Sequence, residues 1–74
     1  MVEYSELLRR AVASAPGGAE RHEVYSKART ALVRRLREAD SLPQDITRER
    51  LLLEEGIRQI EAEAADRLRE SSAG

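Results

Sequence analysis

Apolar residues recur along this chain at helical spacing. Tyr25, Ala28, Leu32, Leu36 and Ala39 follow one another at intervals of three and four, and Ile46, Leu53, Ile57, Ile60, Ala64 and Leu68 at intervals of three, four and seven. At 3.6 residues per turn each set forms a single stripe on a helix. A third, shorter set, Tyr4, Leu7, Leu8, Ala11 and Val12, defines another apolar face. The pattern predicts helices over about 2–13, 19–40 and 43–69, with a frayed tail at 71–74. Ala15-Pro16-Gly17-Gly18 separates the first two, because Pro disfavours helical backbone in the residue before it and paired glycines lower helix propensity. Ser41 and Pro43 mark the second break and restart, and Pro suits a first helical position.

The two long stripes can be tested against each other. In an antiparallel pair, facing residues have position numbers with a constant sum. Ala39 with Ile46, Leu32 with Leu53, Ala28 with Ile57 and Tyr25 with Ile60 all add to 85, which places the reversal between Leu42 and Pro43. Two of these pairs set Ala against Ile, a small-on-large match that lets helices approach closely. The expected architecture is all-α: a short N-terminal helix packed on a long antiparallel helical hairpin, forming one helical domain over residues 1–74.

Charge supports that pairing. Between Glu20 and Asp40 there are six basic and four acidic residues, and between Asp45 and Glu70 eight acidic and five basic, so the arms of the hairpin have opposite sign. At the derived register Arg35 reaches Glu49 and Arg21 reaches Glu63. Within the third helix, Glu54 with Arg58 and Glu63 with Arg67 have the favoured i,i+4 order, each contributing about 0.2 to 0.5 kcal/mol. Exposed pairs of this kind contribute about 0 to 1 kcal/mol and select orientation more than they stabilise it.

Size makes the core thin. A chain of 74 residues buries only about 60% of its unfolded surface, and this one has no Phe or Trp and only two Tyr. Oligomerisation is one usual remedy. Without Cys there is no disulfide or thiolate chemistry. Met1 to Arg10 carries Glu3 and Glu6 and no apolar run, so it does not read as a signal peptide, and no stretch has the length of a membrane span. The expected location is the cytoplasm.

The run Arg21-His22-Glu23-Val24-Tyr25-Ser26-Lys27-Ala28-Arg29-Thr30-Ala31-Leu32, followed by Ile46-Thr47-Arg48-Glu49-Arg50-Leu51-Leu52-Leu53-Glu54-Glu55, resembles a small helical-hairpin segment of uncharacterised bacterial proteins. The resemblance covers roughly Arg21 to Ala64. It implies a recurrent helical module, with no activity and no site residues.

Candidate chemistry is sparse. His22 is the single histidine; a metal site on this helix would want a second ligand one turn on, and position 26 is Ser. No second His completes a nucleophilic triad. Neighbouring carboxylates such as Glu54 and Glu55 point about 100° apart and cannot share a proton. The expectation is therefore no catalytic, cofactor or metal site. Lys27, Arg34 and Arg37 share the outer face of the second helix and can meet phosphates, which makes nucleic-acid binding the alternative function. Against it stand Glu23 and Glu38 on that face and the lack of interleaved aromatics for stacking.

Gly56 sits mid-helix, at a cost of about 1 kcal/mol relative to Ala, and is either tolerated there, or marks a close approach by the first helix, or is a notch for a partner. Of three successive leucines only Leu53 lies on the stripe; Leu52 is on its shoulder and Leu51 points away. A first helix of about twelve residues spans roughly 18 Å, and folded along the second helix it reaches about as far as Leu32. Val33, Leu36, Leu51 and Leu52 lie in or beyond the uncovered half, and they are the candidate interface. The leading expectation is a protein-protein interaction module that forms a homodimer through this patch, with no membrane partner.

Overall fold

Three helices form where the periodicity places them: α1 (Tyr4–Val12), α2 (Gly18–Glu38) and α3 (Pro43–Ala73). The computed structural model describes residues 4–15 and 17–73, the last three by backbone alone. Val2 and Glu3, within the first expected helix, and Gly74 lie outside the described residues, as does Pro16. No strand occurs among the described residues. α2 starts one residue earlier than expected, at Gly18, and ends two earlier, at Glu38. α3 continues past the expected end at Arg69 to Ala73. Its 31 residues span about 46 Å at 1.5 Å each, close to the 50 Å long axis of the molecule.

The α2–α3 reversal is built from backbone geometry. Asp40 adopts φ 53°, the left-handed conformation that Asp tolerates better than most L residues. The Asp40 amide donates to Arg37 O at 3.1 Å and the Ser41 amide to Leu36 O at 3.0 Å, the Schellman pattern that satisfies the last carbonyls of a helix. Leu42 O then accepts from the Asp45 and Ile46 amides, and Pro43 opens α3 at the one position where its missing N–H costs nothing. The hairpin is antiparallel near the derived register: Tyr25 pairs with Glu61 and Arg29 with Glu54, giving sums of 86 and 83 beside the expected 85.

The core is small. Leu8, Tyr25, Leu53, Ile57 and Ile60 are buried together, with Tyr4, Val12, Ala28 and Leu32 packed partly against them. Three of the five come from α3, so α3 is the element on which the other two converge. The ends of both stripes fall outside: Ala39 is exposed and Leu68 is 69% exposed, because the stripes outrun the neighbours that would cover them.

α1 packs chiefly on α3 and runs parallel to it: Tyr4 reaches Glu49 near the turn, and Arg9 reaches Glu63 further along. This differs from a helix laid back along α2, and Gly56 permits the close approach. A Cβ there would stand 3.1 Å from the Ser5 backbone nitrogen and 3.3 Å from Leu8 Cδ1. The missing side chain lets the α1 backbone settle against α3.

Two expected charge pairs change with the position of α1. Arg21 bonds Glu61, not Glu63, and Glu63 is taken by Arg9. Glu61 and Glu63 lie about 200° apart around α3, so one faces α2 and the other α1. Glu49 accepts from the Tyr4 hydroxyl in place of Arg35. Glu54 and Glu63 are likewise drawn across helices to Arg29 and Arg9, and the pairs within α3 are Asp45–Arg48, Glu55–Arg58 and Asp66–Arg69, at i,i+3.

Two stability predictions follow from this packing. Gly56→Leu forces α1 away from α3 and costs about 1 to 3 kcal/mol or more, as for overpacked cores. Gly56→Ala stays within about 1 kcal/mol of wild type, since helix propensity offsets the tighter contact. Chemical denaturation of the two variants checks the ordering. Asp40→Gly relieves the left-handed backbone and removes a carboxylate from a helix C-terminus; it raises stability by about 0.5 to 1 kcal/mol in the same assay.

Candidate interaction surfaces

The most elaborate polar arrangement lies at the open end of the hairpin. Tyr25 is fully buried, and its hydroxyl donates to Glu61 Oε2 at 2.7 Å. Arg21 Nε donates to the same oxygen at 2.9 Å. Burial first, and then the hydrogen bond to Glu61, push the Tyr25 phenol up to about 12. The bond from Arg21, and secondarily that from Tyr25, holds the Glu61 carboxyl below its ordinary range. His22 is exposed, and its ring stands nearly perpendicular to that of Tyr25, with centroids 6.2 Å apart. The group is self-satisfied: Glu61 has its cation and the buried hydroxyl has its acceptor. Among the described residues no cluster of three or more His, Cys, Asp or Glu is placed to hold a metal ion, and no buried side-chain polar atom lacks a partner.

What remains is surface between helices. The first surface is an apolar groove between α1 and α2, about 460 Å³ in volume, whose walls include Leu7, Ala11, Val24, Ala28 and Ala31, with Lys27 and Arg35 at its rim. Leu7 is half exposed even though it belongs to the expected inner face of α1. Because α1 leans on α3, its Leu8 and Val12 side is covered while Leu7 and Ala11 are left beside α2. The sequence carried a signal for this groove: Val24, Ala28 and Ala31 form a second four-then-three stripe, about 100° from Tyr25 on α2.

A second surface lies on the other side of the α2–α3 hairpin. Two hollows of about 510 and 350 Å³ share Arg29 and Arg50. Val33, Arg34 and Arg37 line the first, and Leu51 the second. Arg29 clasps Glu54 through Nε and Nη2 at 2.6 and 2.9 Å, holding that carboxyl below its ordinary range.

The four candidate interface residues are thus divided. Val33 and Leu51 face the α2–α3 groove. Leu52, half exposed, is turned about 100° from Leu51, towards the side of α3 that carries Glu49 and Gly56. Leu36 is half-buried near the turn. The basic trio is divided too: Arg34 and Arg37 line the α2–α3 groove, whereas Lys27 stands at the rim of the other and pairs with Glu23 at 3.5 Å. No helix among the described residues is long and apolar enough to cross a membrane. No family model matches the chain, and no curated protein or solved structure matches it either.

The charge network sets a pH window. Glu54, Glu61 and Glu63 are held below their ordinary value by Arg29, Arg21 and Arg9, so the stability they contribute is present above the ordinary carboxylate pKa and lost as pH falls through the depressed values. Tyr4 and Tyr25 are raised to about 12; their contribution is present below pH 10 and lost as pH rises from 10 to about 12. The melting temperature is expected to be level from about pH 5 to 10 and to fall on both sides. In thermal melts at matched ionic strength, Glu61→Gln flattens the acid limb and Tyr25→Phe the alkaline one; unchanged limbs in both variants overturn this assignment.

Proposed function

We propose that this chain is a protein-protein association module that pairs with a second copy of itself. One observation carries the reading. Among the described residues five large apolar side chains, Leu7, Leu42, Leu51, Leu52 and Leu68, are more than half exposed, as many as the five that form the core cluster. A small domain that leaves as many large apolar side chains half exposed as it places in its core gains by covering them.

The α1–α2 groove is the best centre for that contact, because its apolar residues adjoin one another. It is also self-complementary. With α2 antiparallel to the α2 of a second copy, Val24 of each falls opposite Ala31 of the other and Glu20 opposite Arg35, since both pairs add to 55. Lys27 and Ala28 of the two copies face each other beside the axis, Val24 meets Ala31 one turn out, and acid meets base at both ends, each pair occurring twice as a two-fold contact requires. Leu7 and Ala11 of α1 line the same groove.

Sedimentation equilibrium over a concentration series tests this directly. The expected result is a reversible dimer that Leu7→Glu and Ala31→Glu each convert to a helical monomer, because both positions are open to solvent in the single chain. A wild type that stays monomeric at high micromolar concentration overturns the proposal. Dissociation by Leu51→Glu with Ala31→Glu still dimeric moves the contact to the α2–α3 side.

A further inference from the structure

The α2–α3 groove plays no part in that dimer, and its chemistry differs. Four arginines, Arg29, Arg34, Arg37 and Arg50, converge on it from two helices. Between them the surface is apolar: Val33 is half-buried, Leu51 is 65% exposed, and arginine stems extend the apolar floor. Arg34, Arg37 and Arg50 make no ion pair within 4 Å among the described residues, unlike Arg29, whose partner is Glu54. That pair shows what the groove accepts: a carboxylate held by two parallel N–H donors, the geometry for which a guanidinium is suited.

We propose that this groove docks an acidic amphipathic helix from a second protein, its apolar residues seated on Val33 and Leu51 and its flanking carboxylates on Arg34, Arg37 and Arg50. Charge complementarity selects this occupant. Arg34 and Arg37 lie three residues apart on α2, and Arg50 stands across the groove on α3, so cations flank an apolar strip on both sides. A partner helix with leucines one turn apart and glutamates on either flank meets that arrangement point for point. A nucleic-acid backbone fits less well, because Glu38 also lines the groove, no aromatic ring is there to stack a base, and the apolar floor has nothing to bury. The proposal goes beyond self-association and uses the face opposite to α1.

The test uses the whole chain and defined probes. A fluorescein-labelled helical peptide with leucines at i, i+3 and i+7 and glutamates on both flanks is titrated by anisotropy. Alongside it run its Glu-to-Gln counterpart, a scrambled peptide of the same composition, and single- and double-stranded DNA oligonucleotides. The acidic amphipathic peptide is expected to bind about tenfold or more tightly than each of the other probes, with affinity falling as salt rises. Arg34→Gln/Arg37→Gln and Arg50→Gln, which keep helix propensity and remove only charge, each weaken it by about tenfold, while the oligomeric state in the ultracentrifuge is unchanged. Loss of the dimer with peptide binding intact counts against the self-association reading alone. Equal binding of the Gln or scrambled peptide, undiminished binding by the arginine variants, or tighter binding of DNA overturns this one.

Discussion

A buried hydroxyl sets the terms on which this fold closes. The Tyr25 ring supplies most of what α2 gives to the core, and it brings with it an oxygen that cannot be left unpaired away from water without a penalty of about 1 to 3 kcal/mol. Glu61 meets that need, and Arg21 keeps Glu61 charged where it is partly shielded from solvent. An apolar stripe of Ala and Leu tolerates a slip by one turn, since one aliphatic surface resembles another. The hydroxyl does not, because one turn away along α3 it faces Ile57. Polar chemistry therefore holds the hairpin in register more strictly than the core does.

With the hairpin fixed, the position of α1 decides what the rest of the surface becomes. Three helices have three grooves, and here each has its own lining. Between α1 and α3, Gly56 allows backbone contact and Arg9–Glu63 bridges the outside. The α1–α2 groove is left apolar and the α2–α3 groove basic. The missing Cβ at Gly56 lets α1 settle closely on α3, and the other two grooves stay uncovered in the single chain.

Much of this was legible in the sequence, and the largest shortfall has one source. The three helices, the antiparallel hairpin and a register within about two residues all come from apolar spacing and from Pro43, because these are properties of one helix or of two adjacent ones. The side on which α1 docks is not, and several mismatches accompany it: Glu63 taken by Arg9, Leu7 and Ala11 assigned to the interior, and Glu49 assigned to Arg35; the exposed stripe ends and the Arg29–Glu54 pair arise instead within the hairpin itself. Gly56 admitted three readings, and only the location of Ser5 chooses among them. The grouping of Arg29 with Arg34, Arg37 and Arg50 needed nothing more than the derived register, which already sets Arg50 level with Arg35. The division of Leu51 from Leu52 was also available, from 100° per residue.

The turn at Ala39–Leu42 has a consequence for how the chain reaches this state. It joins α2 to α3 through four residues, so the first hairpin contacts, between segments close in sequence, carry little loop-closure entropy. The contacts of α1 with α3 link residues 45 and 54 positions apart, as in Tyr4 with Glu49 and Arg9 with Glu63. Local contacts form early and distant ones late, which makes the capped hairpin the part assembled first and α1 the last to dock. The same order read backwards makes α1 the first segment to leave under stress. Amide exchange in α1 would then run ahead of that around Leu53 and Ile57, with the hairpin persisting as the slower unit.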